Sequence, residues 1–416
     1  MCFRPSLWML KVIEGGSEGY VVGIVTAGAQ AIATSGSQAY LPDICVNWDE
    51  DQLRNVQQTQ ATKFAFAAIL DDGSVRTWGA ADYGGDSSAV QDQLTNVRQI
   101  QASYHAFAAI LGDGSVVTWG HASYGGDSSA VQDQLTNVQQ IQATQRAFAA
   151  ILGDGSVVTW GDAGYGAYSS AVQDLLKNVQ QIQANMFAFA AILGDGTVVT
   201  WGDADHGGDS SAVEAQLMKV QQIKATAIAF AAILGDGSVV TWGSAGFGGD
   251  SRAVQDQLQN VQQIQATETA FAAIRGDGTV VTWGGADYGG DSSAVEAQLK
   301  NVQQIQTTGT AFAAICGDGT VVTWGDADHG GDSSAVKAQL MKVQQIQANL
   351  FACAAILGDG SVVTWGRPSF GGDSKAVQDQ LQNVQQIQAT ETAFAAIRGD
   401  GTMVTWGDTC VALEPW

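Results

Sequence analysis

A Thr-Trp-Gly triplet returns every 41 residues along this chain, without one insertion or deletion. The tryptophans of these triplets are Trp78, Trp119, Trp160, Trp201, Trp242, Trp283, Trp324, Trp365 and Trp406. A fixed period of this length is typical of propellers, solenoids and other arrays, because one such unit cannot bury its apolar faces alone. The sequence therefore predicts one repeat domain, although a length of 416 residues would otherwise indicate two or three domains.

Each repeat contains three segments with the composition of β-strands. In the repeat that ends at Trp160 they read VQQIQA, AFAAIL and SVVTWG, and an Asp-Gly pair typical of a tight hairpin separates the last two. Phe148 and Ala150 alternate with Ala149 and Ile151, so the second strand is apolar on both faces. Such a strand needs a sheet packed above it and another below. We also expect the small alanines to leave room for a tryptophan of the adjacent sheet.

The fold class that follows is all-β: a repeat β-propeller of about nine three-to-four-stranded units. Propellers typically have roughly four to eight blades, so an open β-superhelix of the same units is the alternative. Residues 1–42 form an atypical N-terminal segment with a decayed repeat over Val21 to Tyr40; residues 43–407 form the repeat domain, and 408–416 a tail. Asp43 to Asn55 matches the end of a unit, and we hypothesise that it completes the last unit of a closed ring.

The segment after each tryptophan connects one repeat to the next. It contains Ser88-Ala89-Val90-Gln91, which fits a capping box and predicts a short helix over Ala89 to Leu94. We assign turn and cap duty to the repeated aspartates, among them Asp127, Asp162, Asp209 and Asp291, because calcium needs about six to eight oxygens around one point and no calcium-loop motif occurs.

The formal charge of −23, from 41 acidic and 18 basic residues, opposes binding to nucleic acid or to an anionic membrane surface. No apolar run approaches the roughly 18 residues of a membrane-spanning helix, and the first residues lack the pattern of a signal peptide. We therefore expect an intracellular, cytoplasmic protein.

Residues with catalytic chemistry do not form a recurring set. One segment, Gly15-Gly16-Ser17-Glu18-Gly19, matches the sequence motif of a nucleophile elbow. No helix pattern follows it, as that elbow requires, so we interpret the segment as a glycine-rich turn. Cys316 and Cys353 replace apolar strand residues and are predicted to be buried free thiols. We expect no enzyme activity, no cofactor and no metal.

Two residues between the first and second strands change in almost every repeat, although the surrounding sequence stays nearly constant. These tip pairs are Lys63-Phe64, Tyr104-His105, Gln145-Arg146, Met186-Phe187, Ala227-Ile228, Glu268-Thr269, Gly309-Thr310, Leu350-Phe351 and Glu391-Thr392. Because a core position would not accept lysine, glycine and phenylalanine in turn, we predict that the tip pairs are exposed.

An aromatic residue or a histidine precedes the glycine in the loop after each tryptophan. These loop rings are Tyr83, Tyr124, Tyr165, His206, Phe247, Tyr288, His329 and Phe370. In an up-and-down meander the loop rings emerge at the same edge as the tip pairs. Since aromatic residues dominate protein-binding hot spots, we predict a binding surface there; the alternative is that each ring packs on its own Gly-Gly turn.

Residues 56–407 resemble the repeat of the regulator-of-chromosome-condensation family. The motifs that carry the resemblance are, in order, A-F-A-A-I, D-G, V-x-T-W-G and Gly-Gly. The resemblance implies a β-propeller used for protein recognition, with guanine-nucleotide exchange on a small GTPase or chromatin binding in some members. Nine short units differ from the seven longer ones of that family, and the acidic balance argues against its chromatin role.

We expect a non-catalytic protein-protein interaction scaffold whose partner is a protein. One alternative is a regulator that acts on a small GTPase, for which the atypical loop Gly161 to Ser169 and the pair Arg367-Pro368 are the candidate contacts. A substrate-recognition arm related to HECT-type ubiquitin ligases is another alternative.

Overall fold

The structure is a computed structural model that describes residues 20–24 and 32–36 as strand backbone and residues 56–408 throughout. The Ser17 motif, the unit end at 43–55, the three cysteines Cys2, Cys45 and Cys410, and most of the tail lie outside the described residues, so the predictions made for them stay predictions.

Nine three-stranded antiparallel sheets, one for each repeat, make up the described array. A hairpin of β1 (Tyr20–Ile24) and β2 (Ile32–Gly36) precedes them. The strands are, for sheet 1, β3 (Val56–Ala61), β4 (Ala65–Leu70) and β5 (Val75–Gly79); for sheet 2, β6 (Val97–Ala102), β7 (Ala106–Leu111) and β8 (Val116–Gly120); for sheet 3, β9 (Val138–Ala143), β10 (Ala147–Leu152) and β11 (Val157–Gly161); for sheet 4, β12 (Val179–Ala184), β13 (Ala188–Leu193) and β14 (Val198–Gly202); for sheet 5, β15 (Val220–Ala225), β16 (Ala229–Leu234) and β17 (Val239–Gly243); for sheet 6, β18 (Val261–Ala266), β19 (Ala270–Arg275) and β20 (Val280–Gly284); for sheet 7, β21 (Val302–Thr307), β22 (Ala311–Cys316) and β23 (Val321–Gly325); for sheet 8, β24 (Val343–Ala348), β25 (Ala352–Leu357) and β26 (Val362–Gly366); and for sheet 9, β27 (Val384–Ala389), β28 (Ala393–Arg398) and β29 (Met403–Gly407). The all-β prediction, with three strands per repeat, is confirmed.

The chain divides into two compact units, and the division falls inside sheet 4. The first unit contains the described residues up to Gly194 together with Val199–Asp203. The second contains Asp195–Val198 and the residues from Ala204 onwards.

Both faces of the middle strand are buried, as the alternation of its residues predicts. In sheet 3, Phe148 pairs with Trp160 across the strands, and Ala149 pairs with Thr159. Phe148 and Ala149 point to opposite faces, and both are 0% exposed. A strand that is apolar on both faces thus has a sheet on either side of it within the unit.

The cores lie between successive sheets. Ala106, Ala108 and Ile110 of sheet 2 form one core with Phe148 and Trp160 of sheet 3. The small alanines of one sheet therefore receive the large rings of the next, as predicted. The Trp160 indole also reaches back along the chain, because its Nε1–H donates to the carbonyl oxygen of Gly125 at 3.0 Å.

The Asp-Gly hairpins have the predicted chemistry. In sheet 3 the carboxylate of Asp154 accepts a hydrogen bond from the backbone N–H of Ser156 at 2.9 Å, and Gly155 has a φ of +79°. An L-residue with a side chain rarely adopts that φ, so glycine fits this position. The turn and cap duty assigned to the loop aspartates is confirmed as well: Asp127 accepts from the Ser129 N–H at 2.9 Å, and Asp162 from the Gly164 N–H at 2.9 Å.

The short helix expected over Ala89 to Leu94 is confirmed only in part, because its capping residue differs from the prediction. That segment holds only a 3-10 turn, Gln91–Gln93, and the serine that anchors it is Ser87, not Ser88. The Ser87 hydroxyl bonds both to Thr77 and to the side chain of Gln91, which donates to the Val75 carbonyl. The loop is thus held against its own third strand.

All helical segments among residues 56–408 are 3-10 turns of three residues. They are Ala81–Tyr83, Gln91–Gln93, Ala122–Tyr124, Gln132–Gln134, Ala163–Tyr165, Ala204–His206, Glu214–Gln216, Ala245–Phe247, Gln255–Gln257, Ala286–Tyr288, Ala327–His329, Ser334–Val336, Pro368–Phe370 and Gln378–Gln380. Among the described residues, no helix has the length and apolar character needed to cross a membrane.

Candidate functional site

The tip pairs and the loop rings lie at the same edge of their sheets, as predicted. In repeat 1 the hydroxyl of Thr62, the residue before the tip pair, donates to the carbonyl oxygen of Tyr83 at 2.8 Å. The N–H of Ala80, at the start of the loop, donates to the carbonyl oxygen of Phe64 at 2.8 Å. These two bonds hold the loop ring against the tip pair. We call the sheet edge that carries the tip pairs and the loop rings the tip edge.

The tip pairs are not exposed, and the prediction that they are is wrong. None of them falls in the exposed class, and Tyr104, Gln145 and Leu350 are only 4%, 8% and 7% exposed. The last pair, Glu391-Thr392, is buried too. These positions vary inside a packed edge, so their variation does not reflect exposure to solvent.

A ladder of backbone hydrogen bonds explains how buried positions can vary. In the first unit the N–H of Lys63 donates to the carbonyl oxygen of Tyr104 at 2.9 Å, Tyr104 donates in the same way to Gln145, and Gln145 to Met186. In the second unit the same bonds run from Ala227 to Glu268, then to Gly309, Leu350 and Glu391. Because main-chain atoms make this contact, the side chains can differ from repeat to repeat.

The second residue of the tip pair contacts loop rings in repeats 1 to 4. In the first unit the His105 imidazole stacks parallel on Tyr124, with ring centroids 3.9 Å apart, and also contacts Tyr83 at 4.0 Å. Phe64 meets Tyr83 edge-on at 4.8 Å, and Phe187 stacks on Tyr165 at 5.0 Å. Side chains from successive repeats thus interleave in what we call the ring ladder.

Arg146 takes the place of a ring in this ladder. Its guanidinium lies 4.7 Å from the ring centre of Tyr124 and 4.8 Å from that of Tyr165, so it is held between two aromatic faces. The Asp162 carboxylate lies 3.9 Å from the Arg146 Nη1 atom. Guanidinium groups favour this combination of aromatic faces with a nearby carboxylate.

The second unit has a shorter stretch of stacked rings. Phe351 lies 4.5 Å from Phe370 and 5.1 Å from His329, measured between ring centres. The guanidinium of the exposed Arg367 lies over both phenylalanines. Tip residues thus contact the loop rings in this unit as well, while packing of each ring on its own Gly-Gly turn stays an alternative.

Repeats 5, 6 and 7 interrupt the ladder. Their tip residues at the stacking position are Ile228, Thr269 and Thr310, which have no ring. The hydroxyl of Thr310 lies 2.9 Å from the His329 Nδ1 atom, which also lies 2.8 Å from the Asp326 carboxylate. Tyr288, between the two threonines, is 42% exposed, whereas the other loop rings are half-buried. Phe247 and His206 belong to the half-buried group.

The environment of His105 keeps its imidazole neutral. The pKa of His105 is lowered from 6.5 to about 4, chiefly by burial and then by the nearby positive charges of His121, Lys63 and Arg146, in that order. His121 is exposed, and its ring lies edge-on to Tyr124 at 5.1 Å. A neutral imidazole can stack between tyrosines without the cost of desolvating a charge.

The atypical loop of repeat 3 exposes two apolar side chains. Tyr168, where most repeats have aspartate, is 70% exposed, and Leu175, where most have glutamine, is 58% exposed. This loop contains the segment Gly161 to Ser169 that the sequence singled out. Arg367 and Pro368, the other atypical pair, lie beside Phe370 at the tip edge.

The predicted free thiols are confirmed: Cys316 and Cys353 are both buried and unpaired. Burial raises the pKa of the Cys353 thiol far above its ordinary value, which keeps it protonated and unreactive. Within the described part of the chain, no group of three or more His, Cys, Asp or Glu side chains is arranged to hold a metal ion.

Sequence reasoning missed both the backbone ladder and the ring ladder. A signal for the second was present, because the stacking position holds a planar group in five repeats: Phe64, His105, Arg146, Phe187 and Phe351. The backbone ladder leaves no trace in residue types, since every L-residue supplies the same N–H and carbonyl.

No protein-family model matches the sequence. No curated protein matches it either. Among solved structures, the computationally designed protein Ika8 is similar with a TM-score of 0.35 and 15% identity, over 75% of this chain and 96% of that one. Prp20p from Saccharomyces cerevisiae, whose structure was described with its binding to Gsp1p and histones, is similar with a TM-score of 0.37 and 16% identity, over 66% and 72% of the chains.

The entire ectodomain of the receptor kinase CR4 from Physcomitrella patens is similar with a TM-score of 0.38 and 15% identity, over 65% of this chain and 74% of that one. With TM-scores this low, none of these structures sets the arrangement or the function of this chain. The nine repeated sheets are a property of its own structure.

Proposed function

We propose that this protein is a non-catalytic scaffold that binds other proteins through the tip edge. The observation that supports the proposal is the contrast between repeats. The strands and the Asp-Gly hairpins stay nearly constant, while the chemistry of the tip pairs ranges from lysine and arginine to glutamate and phenylalanine. A surface that varies on a constant frame is the arrangement by which repeat proteins distinguish partners.

The partly exposed ring ladder gives this edge the residues that dominate binding energy. Tyrosine and arginine are enriched at hot spots because they combine large contact areas with hydrogen-bonding groups. Tyr83, Tyr124 and Tyr165 are half-buried, so their rings are already fixed by stacking before a partner arrives. Fixed rings lose little side-chain entropy on binding.

The test replaces the first four tip pairs by Gly-Thr, the pair that the chain already carries at Gly309-Thr310. Gly-Thr keeps the backbone ladder and removes the varied side chains. The control replaces four exposed loop serines by alanine: Ser88, Ser129, Ser170 and Ser211. Proteins crosslinked to the parent chain in cell extract are identified by mass spectrometry. We expect the control to capture the same proteins and the Gly-Thr variant to lose them; an unchanged set would reject the tip edge.

Regulation of a small GTPase through the loop of repeat 3 is the second candidate, because Tyr168 and Leu175 are the most exposed large apolar residues described. A third variant, Tyr168→Asp with Leu175→Gln, restores the residues that Asp127 and Gln134 supply in repeat 2. Loss of a captured GTPase in this variant alone would favour the second candidate over the tip edge.

A further inference from the structure

The interruption of the ring ladder at repeats 6 and 7 leaves Tyr288 without a stacking partner. Thr269 and Thr310 occupy the positions from which rings or a guanidinium reach the loop rings in other repeats. No ring of the described residues stacks on Tyr288, and it is 42% exposed. An aromatic face is thus presented where the neighbouring geometry favours a planar group.

The same chain shows what such a position accepts. Arg146 lies between Tyr124 and Tyr165, with the Asp162 carboxylate beside it. In repeat 7, Tyr288 occupies the position that corresponds to Tyr124, and His329 the position that corresponds to Tyr165. Asp326 corresponds to Asp162, and Thr310 corresponds to Arg146. An aromatic ring, a histidine and a carboxylate thus recur around this position without the arginine, although here the carboxylate pairs with His329.

The charge at this part of the tip edge favours a cation. The tip pairs and loops around Tyr288 carry four carboxylates, Glu268, Asp287, Asp326 and Asp328, and residues 267–270, 285–289, 308–311 and 326–330 contain neither lysine nor arginine. Asp287 and Asp328 are exposed. His329 already engages Asp326, so Asp287, next to Tyr288 in the chain, is the carboxylate more open to a partner.

We infer that Tyr288 and Asp287 form a binding site for an arginine side chain presented by a protein partner. The inference rests on the proposed function and names the chemistry of the partner at this position. A guanidinium stacks on the tyrosine face and bonds the carboxylate through two parallel N–H groups. An ammonium group is compact and strongly hydrated, so lysine uses the aromatic face less well.

The test measures binding of the full chain to a fluorescein-labelled peptide of alternating glycine and arginine by fluorescence anisotropy, at near-physiological salt. The comparison peptide has lysine in place of every arginine. We expect the arginine peptide to bind more tightly. Tyr288→Ala should weaken its binding about tenfold, a loss of the size expected for a cation–π contact with its hydrogen bonds. Tyr288→Phe, which keeps the ring, should retain most of it.

Two further variants separate the site from general charge attraction. Thr310→Arg places the chain's own guanidinium beside Tyr288, as Arg146 lies beside Tyr124, and should weaken peptide binding as much as Tyr288→Ala does. Met341→Ala removes an exposed large apolar side chain outside the ring ladder and should change nothing. Equal affinity for both peptides, or unchanged binding by Tyr288→Ala with a native near-ultraviolet circular dichroism spectrum, would overturn the inference.

The outcome is separable from that of the proposed function. If the arginine peptide fails to bind while the Gly-Thr variant loses its captured proteins, the inference is wrong and the tip edge stands. If peptide binding depends on Tyr288 while the Gly-Thr variant captures the same proteins, the inference stands. The role of the first four tip pairs in binding partner proteins is then rejected.

Discussion

The glycine that precedes the Asp-Gly turn in repeats 2 to 9 has two different neighbourhoods within one chain. A Cβ added to Gly153 would run into the side-chain amide of Asn137. At Gly235 the equivalent neighbour is Lys219, whose nearest atom, the backbone oxygen, would lie 3.4 Å from the added Cβ. Both glycines donate the same backbone hydrogen bond, to Asn137 and Lys219 respectively, so the side chain opposite is what differs.

Gly153→Ala should therefore destabilise the fold and Gly235→Ala should not. We expect a cost of about 1–3 kcal/mol for Gly153→Ala, the range typical of overpacking. For Gly235→Ala we expect no loss, or a gain of about 0.4–1 kcal/mol from the less flexible unfolded chain. Urea unfolding of both variants checks this, and equal shifts of the midpoint would contradict it.

Residue types alone determined correctly where the tip pairs lie, but not how they are buried. The variation among Lys63, Tyr104 and Gly309 indicated a position free of side-chain constraint, and that freedom is real. Its cause is a main-chain contact with the next repeat, which no pattern of side chains reveals. Exposure and tolerance have different physical origins, and the sequence displays only tolerance.

At the scale of the strand and the sheet, the sequence was more informative. Alternation with a period of two residues fixes which side chains share a face, and the Asp-Gly pair fixes the hairpin, so the three strands and their buried faces were predictable. The loop was less so, because Ser87 and Ser88 are both plausible caps until the contacts of Ser87 with Thr77 and Gln91 are known. The ring ladder joins separate repeats, so its signal in the sequence is visible only when the repeats are compared with one another.

The stacked element around His105 should respond to pH. The folded chain holds the pKa of His105 at about 4, while the ordinary value is 6.5. Between these values the unfolded chain binds a proton that the folded chain does not, so stability falls as the pH is lowered from 6.5 to about 4. Above 6.5 the stacked neutral imidazole contributes fully.

His105→Phe should remove this part of the pH dependence, because Phe64, Phe187 and Phe351 already fill the same position in other repeats. The thermal midpoint of the parent chain should fall more steeply than that of the variant between pH 6.5 and 4. His121→Gln, which removes one positive neighbour, should bring the pKa of His105 closer to its ordinary value in a nuclear magnetic resonance titration. Parallel midpoint curves for the parent and His105→Phe would contradict the assignment.

At the scale of the whole molecule, the repeated aspartates should set the acid limit of stability. Hydrogen bonds from the Ser156 hydroxyl and backbone N–H lower the pKa of Asp154 below 3.8, and the hairpin aspartates of the other described repeats are held in the same way by a serine or threonine. Bonds from Arg252 lower the pKa of Asp250 to about 2. These carboxylates are ionised more readily in the folded chain than in the unfolded one.

The stability that they contribute is therefore present above pH 3.8 and lost as the pH falls through their folded pKa values. We expect a second, steeper fall of the thermal midpoint below pH 3.8, distinct from the histidine effect at higher pH and present in His105→Phe as well. Scanning calorimetry from pH 2 to 7 at fixed ionic strength measures both; a midpoint that stays level below pH 3.8 would show that the turns do not need the ionised form.

The backbone ladder at the tip edge also bears on how such a chain can grow. Val261 to Gly284 and Val384 to Gly407 differ at a single position, Val280 against Met403, which indicates that one stretch was copied from the other. A copied repeat joins its neighbours here through main-chain atoms that every copy carries, so it needs no co-adapted side chains. Duplication can therefore come first and divergence of the tips afterwards, one repeat at a time, without loss of the junction.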